Sequence, residues 1–564
     1  MAIRKIGIIE RTYRNVQRYR QILTVLIKYG FGDVIDGLKI EQYLEIGLQM
    51  ISRKRREKIE TLTRAERVRM ALEELGVTFV KAGQILATRP DLLDVEFIHE
   101  LEKLQYDVAP FPFADVRAIV ERELRVSMEQ VFAKFEEKPL AAASIGQVHK
   151  ARLIDGTDVV VKVQRPDIRP IIEADLEIML HLASLMERYL EGWDLHRPTH
   201  IVEELGRTFE KEIDYTIEAS NLERFARQFN ADMTVYVPKV IREASTARVL
   251  TMEYVSGVRP SDGGALRAAG LDPKVIAKRG ADLIMKQVFI HGFFHADPHP
   301  GNLLVLPHDV ICYLDFGMMG RIDTRTRESI IDLVTGVVRE DEDKATDAVL
   351  QLTIYESEPN RRALQRDVAD FLDEHTHRPL KDLHLGKILE QLLSMASRHR
   401  LRIPPDLFLM LKALSTVESL GSVLDPSFDI TAHAAPIVQK LQLERYSPRR
   451  ISRDAWSTGM EFVQLIREIP GEVRDILRQT KQGHVRIEFE HRGLEPMYST
   501  YDRISNRLAF AILLASLIIG SSLLVLAGVP PKWHEIPVVG LAGFVIAGCM
   551  AFRLLYLIWR QRKL

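Results

Sequence analysis

The alternation of hydrophobic and polar positions separates a charged body from an apolar C-terminal segment. Leu508 to Val529 contains no charged residue, and Ile536 to Trp559 contains one, Arg553. Crossing about 30 Å of hydrocarbon takes roughly 20 apolar residues in a helix, so each run is long enough to span a bilayer. The short connection between them predicts a hairpin of two transmembrane helices, 508–529 and 536–559.

Positive charge gathers at both outer ends of this hairpin. Arg503 and Arg507 precede it, and Arg560, Arg562 and Lys563 follow it. Since Lys and Arg are enriched on cytoplasmic flanks, both ends are expected in the cytoplasm, which predicts an inner (cytoplasmic) membrane location with the rest of the chain in the cytoplasm. A buried hairpin of a soluble protein is the alternative.

The N-terminal part of the chain is basic and has helical periodicity. Residues 1–60 place apolar side chains such as Ile6, Ile9, Tyr13 and Val16 at helical spacing. This pattern predicts a basic amphipathic segment near an anionic leaflet, or alternatively a solvated helical face.

The next segment is predicted to be a helical extension, 61–130. Thr61 to Leu86 carries an apolar stripe at three- to four-residue spacing, which predicts one helix. Within it, Lys81 and Gln84 share a face on either side of Gly83. A glycine inside a helix is unfavourable by about 1 kcal/mol relative to alanine, so close packing is expected there.

A run of small residues then precedes a predicted β-hairpin. The run is Ala141-Ala142-Ala143-Ser144, and Asp155-Gly156 supplies the turn of the hairpin. The return strand carries Lys162 among valines. A lysine in a strand usually points to solvent, but beside a phosphate-binding loop it would contact the α- and β-phosphates.

Carboxylates on a helical stretch follow the hairpin. A kinase-like site needs one helix glutamate to pair with the strand lysine, and Glu212 is the predicted partner, with Glu210 and Glu218 as alternatives. A charged, solvent-facing helix is the other interpretation. The later strand that includes Glu253 and Val255 runs toward a glycine, as expected for a hinge whose backbone groups face adenine.

Two short stretches carry the candidate phosphoryl-transfer chemistry. Asp297 is followed, after four residues, by Asn302, and Asp315 begins an Asp-Phe-Gly sequence. In kinase-like sites one carboxylate orients the attacking group, while an asparagine and a second carboxylate hold magnesium. The order of loop, lysine, glutamate, hinge and these stretches predicts an α+β, bilobal kinase-like fold.

Charge balance and cysteine content exclude several classes of protein. With 77 Lys and Arg against 78 Asp and Glu, the net charge is −1, so the chain as a whole is not a basic nucleic-acid binder. Cys312 and Cys549 lie far apart in sequence and form no Cys-x-x-Cys pair, which excludes a disulfide framework or a zinc ribbon.

Taken together, these motifs resemble the UbiB family of atypical kinases, which is linked to coenzyme Q and other prenylquinones. The resemblance covers about Glu66 to Asp323. It rests on Lys81-Ala-Gly-Gln84, Ala141 to Ser144, Lys162, Glu212-Ile-Asp214, Asp297 to Asn302, and Asp315-Phe-Gly317. It implies an atypical bilobal kinase-like fold, a membrane anchor, ATPase activity, and little ordinary protein kinase activity.

The resemblance also implies roles for individual residues. Lys162 would hold the α- and β-phosphates, Glu212 would orient Lys162, and Asp297 would orient the attacking hydroxyl or water. Asn302 and Asp315 would bind Mg²⁺. The predicted contacts of ATP or ADP are Ala141, Ala142, Ala143, Ser144, Lys162, Glu253 and Val255. Lys81 and Gln84 would cap the site, with Asp214 as a partner for Lys81.

The expected organisation follows the chain. Its parts are a basic segment (1–60), the helical extension (61–130), an N-lobe (131–257), a C-lobe (258–443), a linker (444–507), and transmembrane helices at 508–529 and 536–559.

Three features of the sequence disfavour a protein substrate. The alanines carry Cβ atoms that limit backbone approach to phosphates, where glycines would not. Few residues separate Gly317 from the next predicted helix, and no Ala-Pro-Glu follows, so no activation segment is expected. His299 stands where protein kinases commonly place a lysine, and neutral imidazole is a poorer charge stabiliser than an ammonium group.

The function that follows is a membrane-anchored, magnesium-dependent ATPase or small-molecule or lipid kinase that supports ubiquinone (prenylquinone) biosynthesis. Its expected partners are membrane lipids, prenylquinone precursors and quinone-biosynthesis enzymes, with no nucleic acid. Two alternatives remain open at this point. One is an aminoglycoside- or choline-type phosphotransferase, and the other is a non-catalytic, nucleotide-gated lipid-binding scaffold.

The alanine run allows a direct test. Replacing Ala141 or Ala142 by glycine should change nucleotide affinity or preference, because removal of Cβ lets the backbone approach the phosphates more closely. Equilibrium binding of ATP and ADP to each variant measures the effect. Unchanged nucleotide affinity in both variants would contradict the steric argument.

Overall fold

The computed structural model divides the chain into two units, 1–451 and 452–564, and each is described by itself. It describes residues 8–37, 62–104, 109–190, 197–355, 357–376, 385–430, 495–528, 530–533 and 536–561, with single positions between 433 and 443.

The first unit contains most of the helices and strands. Its helices are α1 Ile8–Lys28, α2 Gly32–Gly37, α3 Arg64–Leu75, α4 Val77–Leu86, α5 Val95–Leu101, α6 Phe113–Leu124, α7 Met128–Val131, α8 Ile168–Tyr189, α9 Pro198–Glu212, α10 Tyr215–Gln228, α11 Gly263–Ala268, α12 Pro273–Met285, α13 Thr324–Arg339, α14 Glu342–Leu352, α15 Arg361–Thr376, α16 Leu385–Arg398 and α17 Pro405–Leu424. Its strands are β1 Phe132–Phe135, β2 Ala141–Ala142, β3 Gly146–Leu153, β4 Asp158–Gln164, β5 Val235–Tyr236, β6 Val249–Glu253, β7 Phe293–His295, β8 Leu303–Leu306, β9 Val310–Tyr313 and β10 Met319–Arg321.

An antiparallel sheet forms the smaller lobe, with strand order β1-β3-β4-β6 and β2 added on β3. Period-2 alternation in β4 sends Val159, Val161 and Val163 into one apolar cluster, and these valines are fully buried. Lys162 therefore faces the opposite side. Because Lys162 is paired between Val148 and Leu250, it lies in an interior strand and is not an edge residue pointing to solvent.

The larger lobe combines short strands with packed helices. β8 and β9 are antiparallel, β5 adds to β9 in parallel, and β7 pairs with β10. One apolar cluster draws on both lobes, with Val160 from β4 and Leu303 and Val305 from β8. This kinase-like arrangement of two lobes agrees with the fold expected from the sequence.

The predicted single helix from Thr61 to Leu86 is wrong, because two helices, α3 and α4, meet at Gly76. The positive φ of Gly76, 95°, ends α3 and redirects the chain. The expectation for Gly83 is confirmed. A Cβ placed there would lie 2.3 Å from Leu104 Cδ1 and 2.9 Å from Leu72 Cδ1, so a larger residue would require these leucine side chains to move.

The apolar face of α1 is buried against the protein. Ile22 and Leu23 belong to one cluster with Phe79 of α4 and Ile178 of α8, and each of the four is at most 5% exposed. The face that carries Ile22 and Leu23 is therefore not available to a lipid leaflet, which corrects the membrane-surface interpretation for residues 16–28. A run of four basic residues within the same predicted segment, Arg53-Lys54-Arg55-Arg56, lies outside the described residues.

The second unit contains α18 Glu495–Ala527, the strand pair β11 Lys532–Trp533 and β12 Ile536–Pro537, and α19 Val538–Gln561. The helix pair meets at small residues. A Cβ on Gly543 would lie 2.1 Å from Ser521 Oγ, and one on Gly540 would lie 2.6 Å from Val525 Cγ2. α18 begins at Glu495, within the region expected to be a linker.

The described chain holds two helices long and apolar enough to cross a bilayer, and they differ in burial. Leu508–Ala527 has a mean hydropathy of 2.5 and only 6% of it is buried, whereas 39% of Pro405–Leu424 is buried. The latter, α17, packs on α12 as a core helix of the larger lobe. The outer face of α18 and α19 instead exposes large apolar side chains such as Leu513, Leu523 and Phe552.

The turn before β7 generates a stability prediction. Gly292 has a φ of 62°, and a Cβ there would lie 2.4 Å from the carbonyl oxygen of Ile322. Gly292→Ala should therefore lower the free energy of unfolding by about 1–3 kcal/mol. Thermal or urea unfolding of the full chain measures this.

A matched control lies in the helix just before this turn. Gly280 in α12 has no neighbour closer than 3.9 Å to a built Cβ. Gly280→Ala should leave stability unchanged or raise it by about 0.5–1 kcal/mol, because alanine favours a helix interior. Equal losses in the two variants would contradict the packing around Gly292.

Candidate functional site

The centre of the candidate site is the ammonium group of Lys162. Its Nζ lies 2.9 Å and 2.8 Å from the two carboxylate oxygens of Glu218 on α10. It also lies 3.5 Å from Oδ2 of Asp315. The Glu218 side chain is 7% exposed and that of Lys162 is 18% exposed. The structure thus brings together a strand lysine, a helix glutamate and the Asp-Phe-Gly aspartate.

The prediction that Glu212 pairs with Lys162 is wrong, and the open alternative Glu218 is the partner. Glu212 ends α9, where its carboxylate lies 3.0 Å from Nζ of Lys81. A break at Ile213 and Asp214 separates α9 from α10, so the two glutamates face different groups. The sequence pattern had joined these two helices into one.

Asp214 has a role at this break that differs from the predicted one. Its side chain accepts a hydrogen bond from the backbone N–H of Thr216 at 2.9 Å and caps the N-terminus of α10. Such capping residues typically contribute about 1 kcal/mol to helix stability. The prediction that Asp214 pairs with Lys81 is therefore corrected, since Glu212 occupies that position.

The electrostatics favour the charged forms of Lys162 and Asp315, whereas burial opposes ionisation of Glu218. Burial alone would lower the pKa of Lys162, but the carboxylates of Asp315 and Glu218 outweigh it and raise that pKa. Surrounding protein atoms oppose ionisation of Asp315, yet Lys162 and the N–H of Gly317 lower its pKa to about 2. Burial raises the pKa of Glu218, and Lys162 acts against that rise. Asp315 is therefore an anion at neutral pH, with 46% of its side chain exposed.

Asn302 and Asp297 form one unit in the loop after β7. Asn302 Nδ2 donates to the carbonyl oxygen of Asp297 at 3.1 Å, which leaves the side-chain oxygen of Asn302 to act as a ligand. The carbonyl of Asn302 accepts from the N–H of Leu314 at 3.0 Å and ties this loop to the end of β9. The predicted pair thus lies beside the segment that carries Asp315.

His295 connects these two segments, and sequence reasoning missed it as a site residue. Asp297 donates its N–H to Nδ1 of His295 at 3.3 Å, so Nε2 carries the hydrogen and donates to the carbonyl of Asp315. Burial lowers the pKa of His295 and keeps the ring neutral, as this bonding requires. Its position two residues before Asp297 was the available signal.

His299 lies beside Asp297, as its position predicted. Its Nδ1 accepts from the N–H of Gly301 at 2.9 Å, which turns Nε2 toward Asp297 at 3.7 Å from Oδ2. Both side chains remain partly exposed. The imidazole of His299 is thus placed next to the residue predicted to orient the attacking group.

Two further polar residues behind the site were also missed. Asn221, one turn after Glu218 on α10, donates to the carbonyl of Phe316 at 3.1 Å. Gln287, fully buried, donates to the hydroxyl of Tyr313 and accepts from the N–H of His295 at 2.9 Å. Neither residue belongs to a motif, so only tertiary contacts reveal these functions.

The alanine run is held more tightly than a free loop. Ala141 and Ala142 form β2 and pair with Val148 and Gln147, and the N–H of Ala143 donates to the carbonyl of Gly146 at 2.7 Å. Ser144 is half-buried at the following turn. That N–H of Ala143 is thus already bonded.

Gly146 allows a close approach at the start of β3. A Cβ there would lie 2.4 Å from the hydroxyl of Tyr215 and 2.5 Å from the carbonyl of Val163. The Tyr215 ring centroid lies 5.2 Å from Nζ of Lys162. The base of the loop is consequently in direct contact with the surroundings of Lys162.

Glu253, in the predicted hinge, is the last residue of β6, and its side chain has a structural role. The carboxylate of Glu253 accepts from the hydroxyl of Tyr236 at 2.6 Å and from the N–H of Lys239 at 3.3 Å. Beyond Val255, the N–H of Val258 donates to the carbonyl of Val305 at 2.9 Å. The carboxylate of Glu253 is therefore already bonded within the protein.

The extension reaches the site through Lys81. Besides pairing with Glu212, Lys81 contributes to the low pKa of Asp315, so its charge acts within the site. Gln84 instead donates to the carbonyl of Leu104 at 3.2 Å, which fixes α4 to the end of the extension. After Gly317, residues 318–323 alone lead to α13, and part of them forms β10.

Comparison with known proteins gives the family. The ABC1 atypical kinase-like domain matches residues 103–349, the UbiB helical domain 368–429, and the ABC1/UbiB kinase-like C-terminal domain 492–560. A "Probable protein kinase UbiB" from Xanthomonas campestris pv. campestris (strain B100) is 33% identical over 537 residues, which cover 92% of this chain and 95% of the relative. The chain belongs to the UbiB family.

Other relatives of this UbiB-family chain have similar coverage. A "Probable protein kinase UbiB" from Xylella fastidiosa (strain 9a5c) is 32% identical over 95% of this chain and 97% of its own length. An "Uncharacterized protein in hydrogenase 1 5'region" from Clostridium pasteurianum is 31% identical over 98% and 100%. A solved complex of Rv3197 with erythromycin from Mycobacterium tuberculosis has a TM-score of 0.46 at 24% identity, covering 58% of this chain and 83% of that one.

The two glutamates can be separated by experiment. Glu218→Gln should weaken binding of magnesium-ATP about tenfold, because Lys162 loses its buried charged partner and the contact has a typical free energy of about 1.5–3 kcal/mol. Glu212→Gln is the matched control and should leave this affinity within about threefold. Isothermal titration calorimetry measures both. A larger loss in Glu212→Gln than in Glu218→Gln would contradict the assignment.

Proposed function

We propose that this UbiB-family protein is a membrane-anchored, magnesium-dependent ATPase, or kinase of a small molecule or lipid, that supports ubiquinone biosynthesis. The observation that carries the proposal is the convergence of Glu218 and Asp315 on Lys162. This arrangement places a charge-stabilised ammonium group next to an ionised, half-exposed carboxylate. Phosphoryl transfer needs a cation for the phosphates and an anion for the metal in such proximity.

The side chains fit a magnesium ion shared with phosphates. Asp315 offers an ionised carboxylate, and Asn302 offers an amide oxygen, and oxygen ligands are those that Mg²⁺ prefers. Among the described residues no group of three or more His, Cys, Asp and Glu is arranged for a metal. A metal held partly by substrate phosphates is consistent with that finding, since Mg²⁺ is commonly bound by one or two carboxylates plus phosphates.

Each remaining residue has a defined part in the proposed reaction. Lys162 holds the phosphates, Glu218 fixes the position of Lys162, and Asp297 orients the attacking oxygen and takes its proton as the γ-phosphoryl group is transferred. His295 and Asn302 keep Asp297 aligned with Asp315 through the contacts described above. Bound magnesium would neutralise charge that develops on the phosphates.

The surroundings favour water or a small acceptor over a protein substrate. Residues 318–323 are too few to form an activation segment, and Met319–Arg321 among them form β10. His299 replaces a permanent cation beside Asp297. Lys81 stands in front of the site from an element that soluble aminoglycoside- and choline-type phosphotransferases need not have, which disfavours that alternative.

The proposed membrane anchor and pathway have separate support. The largely unburied apolar face of α18 and α19 is a surface that lipid would cover. Relatives named UbiB support a role in ubiquinone biosynthesis. One observation favours the scaffold alternative. The N–H of Ala143 is already bonded to the carbonyl of Gly146, and a loop closed in this way is less suited to holding a nucleotide for turnover.

Loss of the metal-binding carboxylate tests the proposal. Asp315→Asn should abolish magnesium-dependent ATP turnover by the full-length protein, because the amide removes the anionic ligand. Turnover is measured by phosphate release, and quinones are profiled in a deletion strain complemented by each variant. Asp347→Asn on the surface of α14 is the control and should retain both activities.

The outcomes separate the alternatives. Nucleotide binding without turnover in the wild type, with normal quinones restored by Asp315→Asn, would favour the scaffold. Unchanged turnover in Asp315→Asn would contradict the assignment of the site.

A further inference from the structure

Two arginines outside the nucleotide site rest on one aromatic ring. The guanidinium carbon of Arg224 lies 4.1 Å from the ring centroid of Phe293, and that of Arg321 lies 5.8 Å from it. The Phe293 ring is fully buried and forms the floor under both groups. Arg224 belongs to α10 and Arg321 to β10. Each cation therefore comes from an element that flanks the Asp-Phe-Gly segment.

Among the described residues these two positive charges have no ion-pair partner. In the part of the chain that the structure describes, no carboxylate lies within ion-pair distance of the Arg224 or Arg321 side chain. The neighbouring carboxylate of Glu223 is bonded to Arg242 at 2.6 Å and 2.7 Å. Asp406 accepts from the backbone N–H of Arg321 at 3.0 Å.

Mutual repulsion is evident in the electrostatics of Arg224. Partial burial, followed by the charges of Arg321 and Arg227, lowers the pKa of this guanidinium. Arg227 lies about one turn further along α10. Like charges gathered at one place are unfavourable unless an anion joins them.

We propose that Arg224 and Arg321 form a binding site for a phosphate group, supplied either by a soluble phosphate or by the headgroup of an anionic lipid. The planar guanidinium group donates two parallel hydrogen bonds to phosphate oxygens, a geometry that a lysine does not reproduce. Contact with the Phe293 ring restricts the orientation of both guanidinium groups, so less conformational freedom is lost when a phosphate binds.

The position of this arginine pair connects it to Lys162. Asn221, one turn before Arg224, holds the carbonyl of Phe316, and Glu218, earlier on the same helix, holds Lys162. A phosphate bound between Arg224 and Arg321 removes the repulsion between α10 and β10. It therefore favours the arrangement in which Glu218 pairs with Lys162, and by linkage a nucleotide that needs this arrangement strengthens phosphate binding equally.

The test uses full-length protein in an uncharged detergent or on vesicles, without nucleotide. The probes are inorganic phosphate, and phosphatidylcholine vesicles with or without phosphatidylglycerol. Arg224→Gln and Arg321→Gln should each weaken binding of the effective probe about tenfold, as expected for loss of a charged hydrogen bond of about 1.5 kcal/mol. Arg242→Gln, which removes an arginine paired with Glu223, is the matched control and should retain wild-type affinity.

The probes distinguish the two sources of phosphate. Saturable binding of inorganic phosphate that the two variants lose supports a soluble ligand. An arginine-dependent increase in vesicle binding on addition of phosphatidylglycerol supports a lipid headgroup, because binding to phosphatidylcholine alone reports only the C-terminal hairpin.

Other outcomes overturn the proposal. They are equal affinity of wild type and the doubly substituted protein, the same loss in Arg242→Gln, or no saturable binding of either probe. Arg321 is exposed, so Arg321→Gln decides the matter even where Arg224→Gln fails to fold by circular dichroism. Turnover of ATP is not measured, and failure of the proposed function would therefore leave this result interpretable.

Discussion

The ammonium group of Lys162 holds together three parts of the chain that are far apart in sequence. It meets a glutamate from α10 and an aspartate from the end of β9, with most of its own stem buried between the lobes. Removing one member of such a cluster leaves a poorly solvated charge, so the three groups depend on one another. The positions of α10 and of the Asp-Phe-Gly segment both follow from this contact, and His295 and Asn302 then align Asp297 with the same segment.

The parts of the site that lie in short local sequence patterns could be predicted from the sequence. Lys162 lies in a valine-rich strand between turn signals, and Asp297, Asn302 and Asp315 occur at fixed spacings next to strands. The sequence could not show which of Glu212 and Glu218 pairs with Lys162. That pairing depends on a helix break at Ile213, which hydrophobic periodicity does not indicate. Gly76 divided a predicted helix for a similar reason, since one positive φ redirects the chain without disturbing the apolar stripe. Asn221 and Gln287 act through long-range contacts, which local patterns do not contain.

The remainder of the fold restricts what the central cluster can reach. The segment after Gly317 is bound into β10, the alanine run is paired as β2, and the extension places α4 against α9. Each of these contacts fixes a segment of the chain that surrounds the central cluster. The helices α18 and α19 of the second unit, by themselves, expose an apolar surface. Restricted access and an apolar surface are both compatible with chemistry on a small or lipid-soluble molecule.

The break between α9 and α10 links two ion pairs mechanically. Glu212, just before the break, holds Lys81 of the extension, and Glu218, just after it, holds Lys162. Asp214 caps the start of α10 between them, so the intervening backbone has little freedom to absorb a movement. A displacement of the extension that moves Glu212 would therefore be transmitted through a few residues to Glu218 and Lys162. The position of the extension, through Lys81, and the position of Lys162 are therefore coupled by one short stretch of backbone.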